Sequence, residues 1–574
     1  MIMRTILLTT ALGATFAGAA AYMYFGQPET RYIPDSKDIT MCGPVYSGPA
    51  GLNAAGKFIG AMPGWGDYSF PVTTENDSSQ FFFDQGLNLY YGYHFKEAVA
   101  SFRESARLDP ANAMAYWGQA LAMGPYYNAA HSYTKPAEIP EVLASMNAAA
   151  ANANPTGQAL IKSMNTRYSE GTDDSRRQEL NVAYAKSLKA LVAQNPREKE
   201  FKILYVDAMM LIHAWDFWNK DGSAKSWTPE LIRLCGQVLK ESPKHPAALH
   251  YHIHLTEASR KPEVALASAE TLRNVAPGVA HMVHMASHEY ERNGLYAKGV
   301  EVNNVADDNL LYYDALAKNL SLNKHSAHYF AVQTYCALTG GMYKDAARYA
   351  QLLRKTVAPS HEGTYDQYLY MLPQMAMVRM GKWNEILSDT TRIDPQWNYA
   401  TILSAFAKGI AFTQTGQADS AAAQLAIIKA NINDVTLTKR RIPFNSPVEV
   451  ARIAERILGG AVLFEQKDPT RALTSLEAAV KLEDNLIYTE PKDWPIPSRQ
   501  FLGRYLLKSG KAAQAEQVYR EDLVKNPGNG WSLKGLHESL KAQGKTKELN
   551  SLEARYKTAF AHADEMPVAS VLIK

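Results

Sequence analysis

Neutral imidazole both holds transition metals and moves protons near neutral pH, and this chain gathers it: eight of its 15 histidines lie between His250 and His328. Their spacing is regular. His250, His252 and His254 are followed by His281, His284 and His288, with His284 standing 34 residues after His250 and His288 34 after His254. On a helix, steps of three or four residues return to one face, so His250 and His254 share a face, as do His281, His284 and His288. His252 points about 200° away from His250 and is expected to be a hydrogen-bonded core residue. Glu257, one turn after His254, is placed as a carboxylate ligand or a general base. Clustered imidazoles with no cysteine beside them suit a transition metal ion such as Fe, Cu or Zn. The zinc-protease spacing H-E-x-x-H is absent.

A period of 34 residues is that of stacked helix-turn-helix units. The elements that must position the histidines are therefore the leading helices of consecutive repeats, whose axes pack about 8 to 10 Å apart. Small residues, aromatics and prolines mark the same units elsewhere. Phe82, Gly86, Leu89, Ala98, Phe102 and Pro110 open the series, and Tyr290, Gly294, Tyr296 and Ala306 continue it. Thr334, Gly341, Tyr343 and Ala346 follow, and Gly503, Gly510, Ala515, Tyr519 and Pro527 come near the end. Gly294 and Gly510 are expected in the tight turns between paired helices, with no part in chemistry.

These marks resemble the tetratricopeptide repeat family over roughly residues 78 to 560, and the chain also looks like a group of large bacterial exported proteins built from such repeats. The resemblance implies an all-α, right-handed superhelical solenoid whose leading helices line a concave groove with their second, fifth and ninth places. Counted from the glycine, alanine and proline marks, His250 and His254 take the fifth and ninth places of one repeat. His281, His284 and His288 take the second, fifth and ninth of the next, and His328 the second of the one after. The expectation is a metal site centred on His250, His254, His284 and His288, with His281 and His328 at its edge. His213, Trp215 and Asp216 are expected as further groove residues. A groove that merely hydrogen-bonds a carboxylate-bearing peptide is the competing reading.

The remaining sequence sets bounds. With 60 basic and 57 acidic residues the net charge is +3, so no global field recruits nucleic acid. Cys42, Cys235 and Cys336 are too scattered for a disulfide framework, and the last two are expected in the core. Met371, Met375, Met377 and Met380 fall at helical spacing and are expected as core filling. No phosphate loop, Gly-x-Ser-x-Gly elbow or CxxC is present. Arg4 precedes an uncharged apolar run to Phe25, read as a signal peptide or single N-terminal membrane anchor over residues 1–25. A Gly/Pro-rich lead-in over 26–77 is expected as a flexible linker, then repeats with the His-rich groove over 78–345, then further repeats and a capping helix over 346–574. The functional expectation is an exported scaffold or binding protein of the cell envelope, periplasmic or membrane-anchored. Its groove would hold a metal ion and a peptide, protein or small-molecule ligand. The alternative is a metal-dependent oxidoreductase or hydrolase using the same histidines.

Overall fold

The computed structural model describes residues 39–40, 48, 51–130, 133–171, 173–439 and 445–573. Among these residues the chain is an all-α solenoid of helix pairs, and the described strands are Ile39–Thr40 and His325–Ser326, paired in parallel. The helices that bear on the site or on its support are α1 (Asp77–Tyr91), α2 (Phe95–Leu108), α3 (Ala113–Ala122), α4 (Pro246–Thr256), α5 (Leu266–Val275), α6 (Ala280–His284), α7 (Ala286–Arg292), α8 (Tyr296–Leu316), α9 (Ala327–Thr339), α10 (Ser498–Lys508), α11 (Ala512–Lys525) and α12 (Gly530–Ala542).

The joints between repeats follow from side-chain size. Phe102 on α2 fills the space that Gly86 on α1 and Gly118 on α3 leave open; a Cβ would meet its ring at 2.9 Å from Gly86 and 2.4 Å from Gly118. Tyr519 on α11 repeats the arrangement between Gly503 on α10 and Gly535 on α12, where a Cβ would stand 2.4 and 2.3 Å from its ring. One aromatic keyed between two glycines thus sets the helix spacing at both ends of the array.

Residues 51–76 lack helical periodicity but are not a free tether. Ile59 and Met62 are buried, the Met62 amide donates to Gln85 Oε1 (2.8 Å), and Gly278 donates to Gly64 O (2.9 Å). Proline and glycine deny this stretch a helix, while its apolar side chains gain by lying along the first repeats. The expectation of a flexible linker is corrected for these residues.

The array also returns on itself. Arg292 Nη1 donates to Lys525 O (2.9 Å) and Trp531 Nε1 to Thr339 O (2.8 Å). Gly294 and Gly528, both in the left-handed region at φ +78 and +74, meet backbone to backbone: a Cβ on Gly294 would stand 2.7 Å from Gly528 O. The close approach at Gly294 is therefore to the returning repeats. Gly510 has φ +75 and open space around it, so its need for glycine is one of backbone conformation alone. Cys235, Cys336, Met371 and Met375 are core residues as expected.

Candidate metal centre

Helix α4 starts on a histidine used structurally. His245 is its N-cap; Nδ1 accepts from the Ala248 amide (3.3 Å), so Nε2–H donates to Glu200 Oε1 (3.1 Å). From there α4 carries His250 and His254 on one face, and α6 and α7 carry the next set. Met285, between α6 and α7, keeps helical dihedrals (φ −55, ψ −27), so His281, His284 and His288 sit on one rod.

The ring nitrogens are sorted by their partners. His250 Nδ1–H donates to Tyr91 O at 2.7 Å, which leaves the lone pair on Nε2, and Nε2 faces His281 Nε2 at 3.1 Å. His254 Nδ1 pairs with Glu257 Oε1 at 3.2 Å, and its buried Nε2 has no hydrogen-bond partner among the described residues. His284 Nδ1–H donates to Asn303 Oδ1 at 2.6 Å; Asn303 is fixed in that sense because its Nδ2 donates to Gly299 O at 2.7 Å. The Nε2 of His284 then faces His288 Nε2 (3.0 Å) and His328 Nε2 (3.1 Å). His288 Nδ1 meets the carboxylate of Glu490. An acceptor on Nδ1 that turns Nε2 toward a common centre is how proteins orient metal-bound imidazoles.

The six rings form two trios, His250–His254–His281 and His284–His288–His328, within each of which one nitrogen per ring lies within 4.8 Å of the others. The trios touch: ring centroids are 5.8 Å apart for His281–His284 and 6.4 Å for His254–His288. His281 and His328 are thus full members of separate trios, whereas the sequence placed them at the edge of one centre. The reason is the stagger of successive repeats. The second place of each leading helix stands level with the fifth and ninth places of the helix before it, so one constellation occurs twice.

All six rings are buried. Burial, and after it the neighbouring imidazoles, keeps His254, His281 and His284 well below the ordinary imidazole pKa, and burial pushes His250 down to about 3. These four rings are neutral at physiological pH and offer lone pairs. The expected open groove is roofed here. Tyr93, at φ +58 between α1 and α2, lies 4.6 Å from His250 and 5.1 Å from His281, centroid to centroid. Residues of the returning array close the other side through Glu490.

Beside the roofed rings opens a cavity of about 620 Å³, lined by His254, Glu257, Trp215 and Asp216 from the first repeats and by Tyr488 and Lys492 from the returning ones. Trp215, at φ +57, stacks on Tyr127 (4.4 Å). His213 is not on this wall. It follows the end of the helix Lys199–Ile212, where the chain turns, and stacks on Trp227 at 3.7 Å. His252 hydrogen-bonds Ser268 Oγ (2.9 Å), in keeping with a core role. His325 pairs with Asp307 (3.0 Å) outside both trios. Sequence reading missed Tyr91, Tyr93, Asn303 and Glu490, which reach the rings through tertiary contacts and carry no periodic signal.

No protein-family model matches the chain, and no curated protein matches it. Similar solved structures include the human IFIT1 dimer with m7Gppp-AAAA, 12% identical over 85% of this chain and 91% of that chain with a TM-score of 0.29. Yeast Tom70 is 10% identical over 84% and 93%, with a TM-score of 0.27. The P58(IPK) TPR domain is 13% identical over 58% and 89%, with a TM-score of 0.18. Likenesses at these scores carry no argument; the tetratricopeptide-like character of the chain rests on its own helix pairs, their 34-residue period at the histidines and the aromatic joints between glycines.

Proposed function

We propose that this is an exported scaffold or binding protein of the cell envelope whose repeats hold transition metal ions on the two histidine trios. The observation that carries the reading is the orientation of the rings. His250, His254 and His284 each have an acceptor on Nδ1 and an Nε2 turned inward, and the Nε2 of His254 is buried without a partner. A row of peptide-binding histidines has no need to aim its lone pairs at one another, and facing lone pairs gain most by sharing a cation. Three imidazoles per ion suit Zn, Cu or Fe without selecting among them.

A second reading, a metal-dependent enzyme, is favoured by one observation. Each trio supplies three nitrogens, which leaves a position open on a four-coordinate ion, and the cavity beside His254 and Glu257 has room for a small molecule. Elemental analysis of the full chain, dialysed against trace Zn, Cu and Fe, tests the proposal. Stoichiometric metal that His254→Ala and His288→Ala together abolish supports it. A metal-free protein whose melting temperature ignores all three ions overturns it.

A further inference from the structure

A third group of ligand atoms stands against the two trios. Glu257, Glu490 and His288 each bring one oxygen or nitrogen to within 4.8 Å of the others. The group differs from the trios in chemistry and in origin: two of its three donors are carboxylates, and Glu490 comes from the returning half of the array. Glu257 Oε1 is occupied by His254, but Oε2 is buried with no hydrogen-bond partner among the described residues. An oxygen of Glu490 lies within 4.8 Å of an oxygen of Glu257. A buried carboxyl with a half-buried one so close beside it gains by a cation held between them. Arg292, which packs against Glu257, does not supply it: its Nε donates to Glu257 O, Nη2 to Ser259 O and Nη1 to Lys525 O.

We propose that Glu257, Glu490 and Nδ1 of His288 form a third, oxygen-rich cation site, which His288 shares with the second trio by using both ring nitrogens. Nε2 of His288 faces His284, while Nδ1 faces Glu490, so one ring bridges the two sites. An ion bound at Nδ1 displaces the proton that nitrogen otherwise carries, and that proton leaves to solvent. Mixed imidazole and carboxylate donors suit a divalent Zn, Fe or Mn ion. Glu257 also lines the 620 Å³ cavity, so this site, of the three, is the one a small oxygen-bearing molecule reaches through a carboxylate ligand. The site exists only while the last repeats are packed on the first, which ties ion binding to closure of the array.

The inference rests on the metal reading of the trios, and counting ions separates the two. The full-length protein, stripped with chelator and titrated with zinc alone, is expected to bind three ions per chain, while Glu490→Gln and Glu257→Gln each bind two. The two variants guard against a folding defect in either one. Two ions in the wild type and two in the variants overturn the third site and leave the trios standing. A wild type that binds none overturns both.

Discussion

Asn303 determines which nitrogen of His284 can hold an ion. Its carbonyl takes the Nδ1 proton and its amide is tied to Gly299 O, so the lone pair is fixed on Nε2 toward His288 and His328. Asn303→Ala releases that tautomer, and ion affinity at the second trio is expected to fall by about 10- to 100-fold with the first trio unchanged, as read by competition with a chromogenic chelator. The neutral rings give a second prediction. The folded pKa of His281 is depressed by burial from its unfolded value near 6.5, so below about 6.5 the unfolded chain binds the extra proton and stability is lost as pH falls. In chelator, His281→Leu is expected to lose less stability on acidification than the wild type, by about 1.4 kcal/mol per pH unit. Denaturant midpoints across this range give the comparison; parallel curves would count against a buried neutral ring. His250, His254, His281, His284 and His288 were legible because 34-residue spacing and helical steps are local properties of the sequence, and His328 because Thr334, Gly341, Tyr343 and Ala346 mark the phase of its repeat. Asn303 and Glu490 were not, since each meets its histidine through tertiary packing.

At the scale of helices and turns, the glycines divide by what surrounds them. Gly294→Val must place a side chain at φ +78 and 2.7 Å from Gly528 O, whereas Gly510→Val meets only the backbone penalty at φ +75. Thermal melts are expected to show the larger loss at Gly294, roughly 2 to 4 kcal/mol against 1 to 2 at Gly510. Equal losses would mean that the contact between Gly294 and Gly528 yields easily. Phe102→Ala, which empties the joint between Gly86 and Gly118, is expected to cost about 3 to 5 kcal/mol in the same assay. The small residues and aromatics that mark the repeats were readable because each acts within its own or the next helix pair. The level at which His281 and His328 join their trios was not, because it depends on the stagger between repeats, which a count of helix places does not contain.

The whole molecule is an array that closes over its own histidines. Residues 51–76 lie on the first repeats and the last repeats return to α7 and α9, so the groove expected from the repeat pattern became a roofed centre with a side cavity. Closure of this kind has no periodic signature, which is why the pattern gave the wall and not the roof. Residues 1–25, expected from the sequence to direct export, lie outside the described residues, and among the described residues no helix is long and apolar enough to cross a membrane. Export is expected to place the repeats outside the cytoplasm, and fractionation of cells expressing the full chain checks it: recovery from the cytosol alone would refute it. The most direct test of the metal centre is anomalous diffraction from crystals of the metal-loaded protein, recorded at the absorption edge of the bound ion. The account predicts a peak within about 2.0 to 2.1 Å of the Nε2 atoms of each trio; ordered rings with no anomalous density between them would contradict it.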